Sequence, residues 1–228
     1  MSLGLSVPLY DEEALVEAVV AEIIGALQAG GVPFRLALVD NGSRDRTGEI
    51  VDRLAADPRV MAVHLTPNQG YGGGILAGIA ALRATGADEV LGWCWGDGQV
   101  DPAVIPALYA ACLGGVDLAK ARRNERRTGA QRRLVSAAYE AVTRALGVRT
   151  RDVNGCPKLL RAEAWEAIGA VHRDWFLDAE VVLGVEARRM RIAERPVVLR
   201  ERAAGQSKVR LSTALEFVEN LARWRLGR

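Results

Sequence analysis

The sequence predicts an α/β protein in which a mostly parallel central sheet is flanked by helices. Over the first hundred residues, short runs rich in Leu, Val and Ile alternate with stretches of helical apolar spacing, the pattern of successive βαβ units. Polar residues gather where three of those runs end, and the carboxyl ends of parallel strands are where such sheets bind ligands. The chain has 228 residues, half of them hydrophobic and a quarter charged, enough for a sizeable core and too apolar for disorder.

Leu3–Leu9 reads as the first strand. The spacing predicts a helix over Ala14–Leu27, ended by Gly30-Gly31, then a strand over Pro33–Asp40, a helix over Arg44–Leu54 and a strand over Val60–Leu65. A Gly-rich segment, Asn68–Gly74, leads into a helix over Ile75–Ala84. Glu89–Trp95 is a fourth strand, and Asp101-Pro102 opens the next helix, with Pro in the first turn where its missing N–H costs nothing. Beyond Gly115 come a strand over Val116–Ala121, an Arg-rich stretch from Arg122 to Arg127 and a helix over Gln131–Leu146. A helix over Ala179–Arg189, a strand over Arg191–Leu199 and a terminal helix over Ser212–Leu226 complete the reading. With no internal repeat and no Pro/Ser-rich linker, residues 1–228 are expected to form one domain.

The net charge of +2 conceals an asymmetry. Residues 1–114 hold 6 basic and 14 acidic residues, net −8, whereas residues 115–228 hold 24 and 14, net +10. The arginines of the second half are scattered without a recognition motif, so no nucleic-acid partner is expected. Three cysteines without a Cys-x-x-Cys pair indicate neither a disulfide framework nor a zinc ribbon, and two histidines leave little for His-based chemistry. Carboxylate, Arg and Lys chemistry is therefore favoured. No apolar run reaches the ~18–20 residues of a membrane span, and the N-terminus lacks the basic region of a secretion signal. A cytoplasmic protein, soluble or peripheral at the cytoplasmic membrane face, is expected.

Four segments carry chemistry. Asp40–Thr47 places a carboxylate, a Gly and a Ser between strand and helix, suited either to ribose or base contacts or to capping the helix by Ser43. The Gly-rich Asn68–Gly74 suits either a phosphate or sugar hydroxyl at a helix N-terminus or close helix packing. Its Gly72-x-Gly74-x-x-Ala77 matches a dinucleotide fingerprint, but after the third strand rather than the first. Trp95-Gly96-Asp97-Gly98-Gln99 sets a carboxylate and an amide two apart, on one face if the segment is extended, where both could meet a divalent cation on a diphosphate; a polar turn is the alternative. Arg200–Lys208 combines Arg, Gly, Ser and Lys, the inventory of a phosphate-binding loop or of a solvated basic one.

In this order, the segments resemble family 2 glycosyltransferases of the GT-A (nucleotide-diphospho-sugar) fold, and within them the dolichyl-phosphate mannose synthase-like group. Val7–Glu13 looks like V-P-x-Y-N-E-E, Val39–Thr47 like V-D-D-G-S-x-D-x-T and Asn68–Gly72 like N-x-G-x-G. Asp97–Pro102 is similar to the end of D-x-D-x-Q-x-x-P, Asp152–Arg161 to D-x-x-S-G-F-K, and Arg202–Lys208 to R-x-x-G-x-S-K. The resemblance implies a Rossmann-like nucleotide-binding half (1–114) and an acceptor- and phosphate-binding half (115–228). It implies that Pro8, Tyr10, Glu12 and Asp40 hold the donor nucleoside and that Asp97 and Gln99 bind Mg²⁺ or Mn²⁺ on its diphosphate. Arg122, Arg202 and Lys208 would neutralise the departing phosphates. Two departures stand out: Trp95 replaces the first metal-site Asp, and Gly155-Cys156-Pro157 replaces Ser-Gly-Phe.

The expected activity is inverting transfer of a sugar from a UDP- or GDP-sugar to a polyprenyl phosphate or a small soluble acceptor. The Trp95 replacement motivates the alternative of a sugar-nucleotide-binding protein with weak or no turnover. A hydroxyl acceptor needs a base, for which Asp178 is the first candidate and Glu180 the second; an acidic first helical turn is the competing explanation of both. The terminal helix carries an apolar stripe, Leu211, Leu215, Val218 and Ala222, beside arginines, suited to its own core or to an anionic lipid surface.

Overall fold

The computed structural model describes residues 2–86, 88–123, 144, 148–200 and 224. Their strands are β1 (Leu3–Leu9), β2 (Phe34–Asp40), β3 (Val60–His64), β4 (Val90–Trp93), β5 (Leu118–Arg123), β6 (Lys158–Arg161) and β7 (Ile192–Val197). Their helices are α1 (Val16–Ala29), α2 (Thr47–Leu54), α3 (Gly70–Thr85), α4 (Ile105–Leu113), α5 (Ala162–Ile168) and α6 (Leu177–Ala187), with a 3₁₀ turn at Pro102–Val104. The predicted helices Gln131–Leu146 and Ser212–Leu226 lie outside the described residues except for Arg144 and Trp224.

One seven-stranded sheet runs β3-β2-β1-β4-β6-β5-β7. β1 pairs in parallel with β2 and β4, β2 with β3, and β5 with β7, while β6 is antiparallel to both its neighbours. The expectation of a mostly parallel sheet holds, with β6 the exception. That strand and α5 were not predicted: Lys158-Leu159-Leu160-Arg161 is too short to show a period, and its Lys reads as a loop residue. Because β6 runs backwards, its first residue, Lys158, lies beside Trp93 at the carboxyl end of β4. The chain also reverses its sheet order between β1 and β4, so the ligand-binding crevice of such a sheet is expected above those two strands.

Alternation along the strands splits the core in two. Val90, Ala119 and Leu159 belong to a cluster with Leu5, Val7, Leu36 and Leu38 under α1, α2 and α4. Their chain neighbours Leu91, Leu118 and Leu160 join Trp93, Ile75, Trp165 and Val182 under α3, α5 and α6. Both faces are covered, which is why these strands read as continuous apolar runs instead of alternating ones.

Two glycines separate packing from propensity. At Gly92 in β4 a Cβ would fall on the Leu159 side chain and the Lys158 carbonyl, so Gly92→Ala is expected to cost about 1–3 kcal/mol through overpacking. Gly25 lies exposed in the middle of α1 with nothing near its Cβ position, so Gly25→Ala is expected to stabilise by about 0.5–1 kcal/mol. Chemical denaturation of both variants against wild type checks the opposite signs.

Candidate active site

The loops after β1 and β2 are laced together at the carboxyl edge. The Asp11 N–H donates to Ser43 Oγ (3.1 Å), Glu12 N–H to Thr47 Oγ1 (2.9 Å) and Glu13 N–H to Asp45 Oδ2 (3.1 Å). In return Arg44 N–H donates to Asp11 Oδ1 (2.8 Å) and Arg46 N–H to Glu13 Oε2 (3.1 Å). Ser43 thus ties the two loops, while Asp45 Oδ1 takes the Thr47 N–H (2.9 Å) at the start of α2. Ser43 does not cap α2: its N-cap is Arg46, without a side-chain cap bond, and the Ser43 hydroxyl serves the loop after β1.

Asp40 ends β2. Its Oδ1 accepts from Ser43 N–H (3.0 Å) and its Oδ2 lies 3.4 Å from His64 Nδ1, whose Nε2 is 2.8 Å from Asp52. Pro8 and Tyr10 stand half-buried at the end of β1, and Glu12 is buried one turn later. The structure therefore gathers all four predicted nucleoside residues along the ends of β1 and β2.

The segment Trp95–Gln99 is a turn, not an extended run. Gly98 has φ +69°, and the Asp97 Oδ1 accepts from the Gln99 N–H (3.1 Å). The premise that residues two apart share a face, as in a strand, does not apply here; Asp97 and Gln99 are neighbours because the turn closes between them. At Gly96 a Cβ would lie 3.0 Å from the Pro8 carbonyl and on the Leu9 side chain, so the turn is pressed against the end of β1. Arg200, the last residue described before the predicted phosphate loop, donates its N–H to the Gln99 carbonyl (2.8 Å), and its guanidinium reaches Glu22 (2.6 Å). Arg202 and Lys208 lie outside the described residues.

The glycine-rich segment lies at the start of helix α3 instead of forming a loop before it. Gly70 and Gly72 let the backbone of residues 172–174 approach: Cβ atoms there would meet the Arg173 carbonyl at 2.6 Å and the Asp174 carbonyl at 2.8 Å. The Gly73 N–H donates to the Arg173 carbonyl (2.9 Å), and Asn41 Oδ1 accepts from Gln69 N–H (2.9 Å). Close packing is the reading that the structure supports, and it removes the dinucleotide loop.

Beside this crevice runs a chain of side-chain bonds absent from the sequence reading. Lys158 Nζ, fully buried, donates to Asp178 Oδ1, and the Tyr71 hydroxyl donates to Asp178 Oδ2 (3.1 Å). The Trp95 indole N–H donates to the Tyr71 oxygen (2.9 Å), and Tyr71 stacks on Trp175 with centroids 4.3 Å apart. Desolvation and the Asp178 charge push the Tyr71 phenol well above its ordinary pKa, so it keeps its proton. A base must reach the proton it takes. Asp178 is 1 % exposed and bonded on both oxygens, and Glu180 is spent on the Val171 and His172 N–H groups (both 3.0 Å). In this conformation both candidate bases are engaged by internal partners, Asp178 by Lys158 and Tyr71 and Glu180 by two backbone N–H groups.

Arg122 ends up at the carboxyl edge of β5, its Nε 3.7 Å from Glu194 Oε2. That edge is two strand spacings, about 10 Å, from β4. Next to it Lys120, fully buried, donates to the Arg151 and Asp152 carbonyls (2.8 and 2.9 Å) and pairs with Glu194 (3.0 Å). Burial and the nearby Lys158 charge lower the Lys120 pKa, against the pull of Glu194. Asp152, at φ +46°, grips Arg123 through its backbone N–H (2.7 Å) and guanidinium. Burial alone would raise the Asp152 pKa, but the bonds from Arg123 and the Lys120 charge bring it below the ordinary carboxylate value. Lys120, Tyr71 and Lys158 were missed because a lone Lys or Tyr carries no periodic signal; the one clue was that Lys158 ends the D-x-x-S-G-F-K-like segment.

Among the described residues no three His, Cys, Asp or Glu converge on a protein-only metal site. A cation shared with a diphosphate needs fewer protein ligands, since Mg²⁺ commonly binds through one or two carboxylates plus phosphate oxygens. The single carboxylate of Asp97, in a turn at the switch point, fits that kind of group.

Two measurements check these assignments. Lys158→Met, which leaves Asp178 buried without its cation, is expected to lose about 3–5 kcal/mol in chemical denaturation, and the double variant Lys158→Met/Asp178→Leu considerably less. Hydrogen bonds that His64 donates to Asp52 and, more weakly, to Asp40 raise its pKa above 6.5 against partial burial. A raised folded pKa means a contribution fully present below the unfolded value and lost as pH rises through the folded one. Wild type should thus exceed His64→Gln in stability most at about pH 5.5, with the gap closing above neutrality.

The Glycosyl transferase family 2 model matches residues 5–168. The chain is 29% identical over 209 residues to the undecaprenyl-phosphate 4-deoxy-4-formamido-L-arabinose transferase of Shewanella sediminis, covering 90% of this chain and 61% of that protein. It is 31% identical over 223 residues to the protein of the same name from Pseudomonas paraeruginosa, covering 96% and 63%. The chain thus spans less than two thirds of the length of these relatives. Among solved structures, glucosyl-3-phosphoglycerate synthase from Mycobacterium tuberculosis, in complex with Mn²⁺, UDP and glucosyl-3-phosphoglycerate, superposes with a TM-score of 0.71 at 18% identity, covering 99% of this chain and 80% of that one. That likeness shows the GT-A fold. With nearly three quarters of its length matched and the strand-end loops in the order the motifs require, the chain belongs to glycosyl transferase family 2.

Proposed function

We propose that the protein is an inverting glycosyltransferase that moves a sugar from a nucleotide-diphosphate sugar to a polyprenyl phosphate. The observation that carries this reading is the gathering of Pro8, Tyr10, Glu12 and Asp40 at the carboxyl ends of β1 and β2, beside the β1/β4 switch point where the Asp97 turn presses on Pro8 and Leu9. The printed names of the relatives supply the acceptor class, an undecaprenyl phosphate. A phosphate acceptor also suits a site in which Asp178 and Glu180 are both engaged, because an anionic oxygen needs no base. Among the described residues no helix is long and apolar enough to cross a membrane.

In this reading an acceptor phosphate oxygen attacks the anomeric carbon as the bond from that carbon to the diphosphate breaks, and the bonding pair leaves with the nucleoside diphosphate. Configuration inverts in the single displacement. Asp40, braced by Ser43 and His64, accepts from the nucleoside, and the laced loops keep Tyr10 and Glu12 in place without reorganisation. Asp97, with Gln99 beside it, would hold a divalent cation, which supplies charge stabilisation on the diphosphate when bound. The neighbouring solved structures contain Mn²⁺ or Mg²⁺ with UDP, in keeping with that assignment. Arg122, Arg202 and Lys208 are the proposed cations for the departing phosphates; Arg202 follows Arg200 by two residues, and Arg200 is bonded to Gln99. Trp95 at the position of a metal-site Asp favours a second reading, a sugar-nucleotide-binding protein without turnover.

A panel of UDP- and GDP-sugars with undecaprenyl phosphate and Mn²⁺ decides between them. Turnover that falls at least ~100-fold in Asp97→Ala is expected, comparable to losing one preorganised charge-stabilising group. Nucleotide-sugar binding without turnover would support the second reading, and binding of no nucleotide sugar would overturn both.

A further inference from the structure

Trp95 sits two residues before Asp97 and is the chain's most conspicuous departure from its family's pattern, yet its indole is held with unusual completeness. Its N–H donates to Tyr71 (2.9 Å), and Tyr71 is fixed twice, by stacking on Trp175 at an interplanar angle of 7° and by its own bond to Asp178 (3.1 Å). Asp178 is fixed by Lys158, and Lys158 pairs in register with Trp93, two residues before Trp95. The contacts therefore run in a ring from Trp95, just beyond β4, back to Trp93 at the end of that strand. One part of the indole packs on the core beneath α3 and α6, while the side chain as a whole stays partly exposed.

An aromatic ring has a positive edge and a negative face. Here the polar point of the edge, Nε1–H, is used up inside the protein, so what the indole can still offer a ligand is its face. The C–H groups on one side of a sugar ring are the complementary surface. A ring already locked in plane adds no ordering cost when the ligand arrives. We infer that Trp95 is a binding platform for the sugar of the donor, and that Tyr71, Asp178 and Lys158 are positioning residues acting through it. This rests on the donor reading given above. It also gives Asp178 a role other than that of a base.

The test compares the nucleotide sugar that wild type binds most tightly in a calorimetric panel of UDP- and GDP-linked hexoses and pentoses with the matching free diphosphate, UDP or GDP. Tyr71→Phe keeps the ring stacked on Trp175 but removes the hydroxyl that holds Trp95. It is expected to weaken the nucleotide sugar ~5-fold and the free diphosphate less than about twofold, the scale of one aromatic contact. Trp95→Ala should lose the same sugar increment, and in that background Tyr71→Phe should have no further effect, as required of two residues acting as one unit. Should Trp95→Ala fail to fold, Trp95→Phe, which lacks the N–H donor, replaces it and should likewise abolish the added effect of Tyr71→Phe. Equal losses for both ligands, no loss for either, or a Tyr71→Phe effect of full size in the Trp95 variant would overturn the inference and leave the donor reading standing. Failure of wild type to bind any panel member would overturn both.

Discussion

The ion pair between Lys158 and Asp178 organises the middle of this molecule. Lys158 begins β6, the one antiparallel strand among the described residues, and Asp178 lies in the first turn of α6, so the pair joins sheet to helix beneath the carboxyl edge. Both groups are out of water, and a buried pair repays its desolvation only when the remaining lone pairs and protons are also engaged. Asp178 meets that condition through Tyr71, and Lys158 lies over the Trp93 ring at 5.5 Å. Satisfying the pair thereby fixes Tyr71, the start of α3, and Trp95.

A second buried lysine, Lys120, sits opposite Lys158 in the β5–β6 register and solves the same problem differently. It takes two backbone carbonyls and Glu194 as partners, and so ties down the loop carrying Asp152. Two like charges buried on neighbouring strands repel, and each is tolerable because its own partners are close. Each lysine is matched by a carboxylate at the carboxyl edge, Lys158 by Asp178 and Lys120 by Glu194.

On the other side of the switch point, order comes from backbone donors and short polar side chains. The loops after β1 and β2 exchange five hydrogen bonds, all donated by backbone N–H groups and four of them accepted by Ser, Thr or Asp. Such loops hold their shape before a ligand arrives. The glycines at the head of α3 contribute by absence, admitting the 172–174 backbone so that the second half of the chain closes on the first.

Strand and helix positions in the first half were readable from the sequence because burial on both sheet faces makes parallel strands apolar throughout, and the intervening helices keep their own period. The motif residues at the ends of β1, β2 and β4 were readable for a related reason: a ligand site at strand ends is local in sequence, each loop contributing its own residues. By itself the sequence determined the α/β class, the order of these elements and the identity of the strand-end loops. Tertiary structure alone decided that Lys158 starts an antiparallel strand, that Asp97 and Gln99 share a turn instead of a face, that the Gly-rich segment packs against backbone, and that Asp178 is an internal partner. The turn is local, closed by a bond between residues two apart, and the structure chose it from two readings; the other three depend on which residues meet across long separations, 107 positions for Tyr71 and Asp178. Local propensity carries no information about such meetings; desolvation and hydrogen-bond satisfaction select them only once the chain has closed.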